Sequence, residues 1–272
     1  MLTNLKLNNY LKLGLFSIVW VTVIIGCKTS RNADKQTKPD PNFQIYILAG
    51  QSNMAGRGKI TDTFAKMSHP HVYKLNQAGE WVLAKHPLHS DKPKMVGVGP
   101  GLSFGIEMAK AKPSVRIGLI PCAVGGSPIE TWEPGGYHTS TKKYPYDEAL
   151  VRIKEAMKHG VIKGVIWHQG EANSNPSREA GYLKKLSVLI ERFRKEVKDP
   201  GLPFVAGELG RYRERYAVIN EQLKQLPQTV KYTRVVSSEG LVHKGDGTHF
   251  DSPSADEFGK RYAAAMLELE NK

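Results

Sequence analysis

Ser52 stands in Ile-Leu-Ala-Gly-Gln-Ser-Asn-Met-Ala-Gly-Arg-Gly, residues 47 to 58, where an apolar strand-like run breaks at a glycine and the hydroxyl follows two residues later. Near the other end of the chain, Asp246-Gly-Thr-His249 carries an acid and an imidazole three residues apart. A serine hydroxyl is a weak nucleophile until an imidazole accepts its proton, and the imidazole performs best when a carboxylate fixes its tautomer and stabilises the imidazolium. These residue types predict a serine hydrolase. Its tetrahedral intermediate would place negative charge on the former carbonyl oxygen, which requires aligned N–H donors. The candidates are the backbone N–H of Ser52, one N–H of Gly125-Gly126 and the side-chain amide of Gln169. Either glycine qualifies, because glycine permits close approach and unusual φ.

The elements that must carry these residues follow from periodicity. Short apolar runs at Gln44 to Ala49, Arg116 to Pro121, Gly164 to His168, Pro203 to Gly207 and Thr233 to Ser237 are strand candidates. Helical stripes recur at Leu150, Ile153 and Met157; at Leu183, Leu186, Leu189, Ile190, Phe193 and Val197; at Tyr216, Ile219, Leu223 and Leu226; and at Phe258, Tyr262, Met266 and Leu269. A further helix is expected from about Leu102 to Ala111, after Gly99-Pro100-Gly101. Alternating strands and helices favour an α/β domain with a parallel sheet covered by helices. Between Ile60 and Val98 the pattern loses regularity, and Val72 to Leu75 with Glu80 to Leu83 is expected as a small hairpin in an insertion beside the main sheet. In open α/β sheets ligands gather outside the carboxyl ends of the strands. Ser52, Gly125-Gly126-Ser127 and His168-Gln169-Gly170-Glu171 each follow a candidate strand, and Asp246 and His249 precede the last helix, so four loops are expected on one rim.

These residues resemble the SGNH hydrolases, and within them the carbohydrate esterases of family 6 and the related sialate O-acetylesterases. The matching blocks are Gly50-Gln51-Ser52-Asn53-Met54-Ala55-Gly56, Gly125-Gly126-Ser127 with Glu130 and Trp132, Trp167-His168-Gln169-Gly170-Glu171-Ala172-Asn173, and Asp246-Gly247-Thr248-His249. The resemblance runs from about Phe43 to Leu269. It implies a three-layer α/β/α fold with a mostly parallel, flavodoxin-like sheet. It also implies Ser52 as nucleophile, His249 as general base and Asp246 as the orienting carboxylate. Gln169 departs from the asparagine that names the wider group, as is common in the esterase branch. Glu171 has two readings, an alternative acid for His249 or a brace for its own loop.

The chemistry implied is removal of O-acetyl groups from a carbohydrate through an acetyl-enzyme. Acetylated xylan or a related plant polysaccharide is the leading substrate class by resemblance, and O-acetylated sialic acid the second. A non-catalytic carbohydrate-binding surface protein of the same fold is the competing class. Trp132 is either a wall or stacking surface for a sugar ring or a core side chain closing its loop; Arg57 either contacts a polar or acidic substrate or stabilises the turn after Ser52. No cofactor is expected. There is no dinucleotide fingerprint or P-loop, and the histidines (His69, His71, His86, His89, His138, His159, His168, His243) are scattered without a convincing carboxylate set for a metal.

The beginning of the chain has a different character. Lys6 and Lys12 precede an apolar run from Leu13 to Gly26, too short for a comfortable membrane span and suited to a signal-peptide core. Its ending, Ile24-Ile25-Gly26-Cys27, resembles a bacterial lipoprotein signal. Residues 1–26 are therefore expected to be a leader and Cys27 the lipidated residue. Residues 27–42 are expected to be a polar tether and residues 43–272 one esterase domain, anchored to the cell envelope. Cys122 would then have no disulfide partner. The formal charge is +13, and removing Lys6 and Lys12 with the leader, which holds no acidic residue, leaves +11. Lys184-Lys185, Arg192 to Lys198 and Arg211 to Arg215 are expected on solvated helix faces, and with no basic-aromatic array a specific nucleic-acid role has little support.

Overall fold

The computed structural model describes residues 38–271. The expected leader, Cys27 and most of the expected tether lie outside the described residues. Seven strands form one sheet: β1 (Asp40–Gly50), β2 (Val72–Leu75), β3 (Trp81–Leu83), β4 (Arg116–Pro121), β5 (Gly160–His168), β6 (Phe204–Gly207) and β7 (Thr233–Val236), in the order β3-β2-β4-β1-β5-β6-β7. Only β2 with β3 pairs antiparallel. The run β4-β1-β5-β6-β7 has the flavodoxin-like order, with the chain moving first to one side of β1 and then to the other.

Helices cover both faces: α1 (Ser52–Ala55), α2 (Asp62–Lys66), α3 (Gly101–Ala111), α4 (Pro145–Ala156), α5 (Tyr182–Val197), α6 (Ala217–Lys224), α7 (Leu226–Thr229) and α8 (Ser252–Glu270). The central stretches of β1, β4 and β5 are apolar because successive side chains enter opposite cores. In β1, Ile45, Ile47 and Ala49 join Trp167, Phe193 and Ile219 on the face of α4, α5 and α6, while Tyr46 and Leu48 join Phe104, Phe258 and Tyr262 on the face of α3 and α8. Each large side chain so buried contributes about 1.5–3 kcal/mol. The α5 stripe buries Leu186, Leu189, Ile190 and Phe193 and leaves Lys184 and Lys195 exposed.

Four expectations need correction. β1 begins at Asp40, within the expected tether, because Asp40 pairs with Arg116 and its N–H donates to His159 O. The Val72–Leu83 hairpin is not beside the main sheet but part of it, since β2 pairs in parallel with β4. The helical stripe from Tyr216 to Leu226 is divided into a 3-10 turn, α6 and a separate α7 carrying Pro227. Arg194, expected on a solvated face, is buried because its guanidinium is satisfied by Leu202 O and Lys231 O.

Candidate active site

Gly50 ends β1 at φ +129°, and a Cβ there would meet His168 O at 2.1 Å. Only glycine lets the chain turn against β5 at this point, and the turn starts α1 with Ser52 at its head. The loop after β7 comes to the same edge. Ser52 Oγ lies 3.0 Å from His249 Nε2, and His249 Nδ1 lies 2.7 Å from Asp246 Oδ2. Asp246 Oδ1 also accepts the N–H groups of Thr248 and His249, at 2.9 and 2.8 Å. Partial burial raises the Asp246 pKa, but the bonds from His249 and Thr248 outweigh it and hold the carboxyl well below its usual range. An ionised Asp246 thus faces Nδ1, which leaves Nε2 available to accept the Ser52 proton. The site is shallow, with the His249 side chain 18% and the Asp246 side chain 38% exposed.

Glu171 lies elsewhere. It is buried, with Oε1 3.3 Å from His168 Nε2 and accepting a bond from Asn53 Nδ2. Burial raises its pKa, yet the adjacent His168 imidazole and the Asn53 amide lower it further than burial raises it. Of the two candidate acids, Asp246 is the one in contact with His249, and Glu171 braces the loop after β5. Asn53 connects the two regions. Its Nδ2 also donates to Thr248 O at 3.0 Å, and its Oδ1 accepts the Phe250 N–H at 3.0 Å, so the residue after Ser52 grips both neighbours of His249. Tyr212 donates to Thr248 O at 2.9 Å and Arg213 to Gly247 O and Asp246 O. Arg213 was expected on a solvated helix face; instead it clamps the His249 loop.

The donors for an oxyanion separate by their partners. Gly125 N–H donates to Asp91 Oδ2 at 2.7 Å and is occupied, while Gly126, at φ +82°, has no acceptor for its N–H among the described residues. A Cβ at 125 would lie 2.4 Å from Arg57 Nη2 and 2.6 Å from Asp91 Oδ2, so a side chain there would displace that ion pair. The Ser52 N–H heads α1, where first-turn donors lack helical partners. Gln169 corrects an expectation. It is fully buried, and its Nε2 faces Asn173 Oδ1 at 2.7 Å, Gln51 Oε1 at 3.2 Å and Ser127 O at 3.3 Å, so its hydrogens are directed at protein oxygens. Gln51, the residue before Ser52, carries a second side-chain amide at this loop. Gln51 Oε1 accepts from Gln169 and from Ala172 N–H, which turns the amide so that Nε2 has no acceptor among the described residues.

Arg57 and Trp132 serve the scaffold. Arg57 donates to Gly56 O and pairs with Asp91 at 2.7 Å, with side chains 1% and 2% exposed. It therefore fixes the Gly125 turn through Asp91, and its guanidinium is spent on that pair rather than open to a substrate. Trp132 is buried, donates to Ser127 Oγ at 3.0 Å and packs edge-on against Trp167, so its ring closes the core rather than lining an open surface. Sequence reasoning missed the roles of Gln51, Asn53, Asp91 and Tyr212. Gln51 and Asn53 flank Ser52 directly, which is the one signal that could have singled them out.

A curated Arabidopsis thaliana protein named Probable carbohydrate esterase is 31% identical over 255 residues, spanning 84% of this chain and 92% of its own length. An Arabidopsis thaliana crystal structure superposes with TM-score 0.75 at 30% identity over 84% of this chain and 99% of that one. NanS shares the fold with TM-score 0.69 at 20% identity, over 86% of this chain and 99% of that one. So does a carbohydrate acetylesterase from Xanthomonas citri, with TM-score 0.63 at 20% identity, over 83% of this chain and 56% of that one. The family model described as carbohydrate esterase, sialic acid-specific acetylesterase matches residues 42–268, and the chain belongs to that family.

Proposed function

We propose that this carbohydrate acetylesterase works through an acetyl-enzyme on Ser52, and that its substrate is an O-acetylated polysaccharide of the xylan type. The observation that carries the mechanism is the unbroken contact Ser52–His249–Asp246. His249 Nε2 takes the Ser52 proton as Oγ attacks the acetyl carbonyl. The Ser52 and Gly126 N–H groups and the Gln51 amide donate to the oxyanion. His249 then returns the proton to the departing sugar hydroxyl, and water repeats the sequence to release acetate. Each oxyanion donor is worth about 10²–10³ in kcat. The partly exposed His249 and Asp246 support a substrate that lies along a surface, as a polysaccharide chain does. Membership of the sialic acid-specific acetylesterase family favours a second reading, O-acetylated sialic acid.

Acetate release from acetylated xylan, mono-acetylated sugars and O-acetyl sialic acids ranks these substrates. Cleavage of longer acyl esters with no acetate from any sugar would overturn the assignment. A fluorophosphonate adduct on Ser52 is expected, and its absence from folded protein would favour a binding protein. We further propose that the protein is exported and held at the cell envelope by acyl chains on Cys27. Mass spectrometry of the mature amino terminus from membranes tests this, an unmodified Cys27 being the contrary result.

A further inference from the structure

A cavity of about 720 Å³ opens beside the catalytic groups, and none of Ser52, Asp246 or His249 lines it. Its walls come from the carboxyl ends of β2 and β4, the loop after β3 and one side of α4. It thus lies on the edge of the sheet that carries Ser52, the edge where ligands collect in such folds. The two sites share a wall, because Val124 and Asp91 line the cavity while Asp91 Oδ2 accepts the Gly125 N–H next to Gly126. Its size is within the range of small-ligand pockets, roughly 300–1,000 Å³.

The charge of the lining is uneven. Lys74, Lys85, Lys143 and Arg152 face two carboxylates, Asp91 and Glu148. Asp91 is already paired with the buried Arg57, and Glu148 with Lys143. Lys74, Lys85 and Arg152 have no carboxylate partner among the described residues. Lys74 donates to Pro87 O, and Arg152 donates to Leu75 O at 2.6 Å and Asn76 O at 3.2 Å, leaving its buried Nε without an acceptor. His86 adds two buried ring nitrogens that are also without partners; burial lowers its pKa to about 4, so the imidazole is neutral near pH 7. Lys74 and Arg152, partly buried without counterions, and the exposed Lys85 favour an anionic guest.

We propose that this cavity is a subsite for a carboxylate-bearing sugar residue next to the acetylated one in the substrate chain, with Lys85 at the mouth and Arg152 inside as its recognition residues. The inference rests on the reading of Ser52 as a carbohydrate esterase nucleophile. It makes the cavity the determinant of preference for acidic over neutral acetylated chains.

Calorimetric titration of the Ser52→Ala protein reads binding without turnover. The probes are a xylo-oligosaccharide bearing glucuronic acid, the neutral oligosaccharide of equal length, and inorganic phosphate. The acidic chain is expected to bind roughly tenfold tighter than the neutral one, with the preference shrinking at high salt and on Lys85→Gln or Arg152→Gln. Lys85 is exposed, so Lys85→Gln remains informative if Arg152→Gln fails to fold. Hydrolysis of a small aryl acetate by the Lys85→Gln enzyme should stay at the parent rate. Equal binding of acidic and neutral chains, or a preference unchanged by both substitutions, overturns the subsite. Phosphate binding as tightly as the acidic chain overturns its sugar specificity. Absence of esterase activity with the acidic preference intact would instead remove the catalytic reading and leave the subsite standing.

Discussion

Asn53→Ala tests whether the His249 loop is held from the nucleophile's side. The substitution removes the bonds to Thr248 O and from Phe250 N–H and the one to the Glu171 carboxylate, all within a site where Asn53 and Phe250 are buried. A neutral hydrogen bond contributes about 0.5–1.5 kcal/mol and one to a charged group about 1.5–3 kcal/mol, so the combined loss is about 2.5–6 kcal/mol. At roughly 2–4 °C per kcal/mol for a domain of this size, Tm should fall on the order of 10 °C. A displacement of about 1 Å in His249 would in addition lower kcat about 10²-fold. Asn53→Asp keeps an acceptor for Phe250 N–H but sets two carboxylates in contact, so it should fall at least as far. The assays are a thermal melt and kcat on a small aryl acetate with folded protein at the assay temperature. A Tm change under about 2 °C, the scale of an ordinary surface substitution, together with an unaltered kcat would refute the reasoning.

Gln51→Ala should lower kcat about 10²–10³-fold with KM little changed, the pattern of a group that acts in the transition state; a purely raised KM would remove Gln51 from the oxyanion site. Asp246→Asn should lower kcat by between about 10² and 10⁴, because water reaches the 38% exposed side chain and partly replaces the carboxylate; steady-state kinetics should show Glu171→Gln losing much less, and equal losses would reverse the two acids. The Asp246 carboxyl is held below its usual range when folded. It therefore contributes stability that is full above the unfolded pKa of about 3.9 and is lost as pH falls through the lowered folded value. The Tm difference between the parent and Asp246→Asn should thus be flat above about pH 5 and shrink below pH 4; a difference growing toward acid would contradict the assignment.

The layered fold was legible because β1, β4 and β5 are apolar on both faces and α5 carries its stripe at helical spacing. The place of Val72 to Leu83 was not, since β2 and β3 are only 4 and 3 residues long and their membership depends on pairing with β4, more than 40 residues on. Ser52, Asp246 and His249 stood out by residue type and spacing, and the structure brings them together. The amide assignments could not be read in the same way. Gln51 and Gln169 have identical functional groups, and only the three oxygens around Gln169 Nε2 show which one faces inward. Arg57 and Trp132 had open alternatives that burial decides, and burial depends on segments distant in sequence.

Ser52 and His249 are separated by 197 positions, Ser52 at the head of the helix after the first strand and His249 on the loop after the last. A chain emerging from the ribosome therefore has its nucleophile long before it has a base. Reactivity at Ser52 should arise only after the final strand has joined the edge of the sheet, so a chain stalled before that point would stay chemically silent.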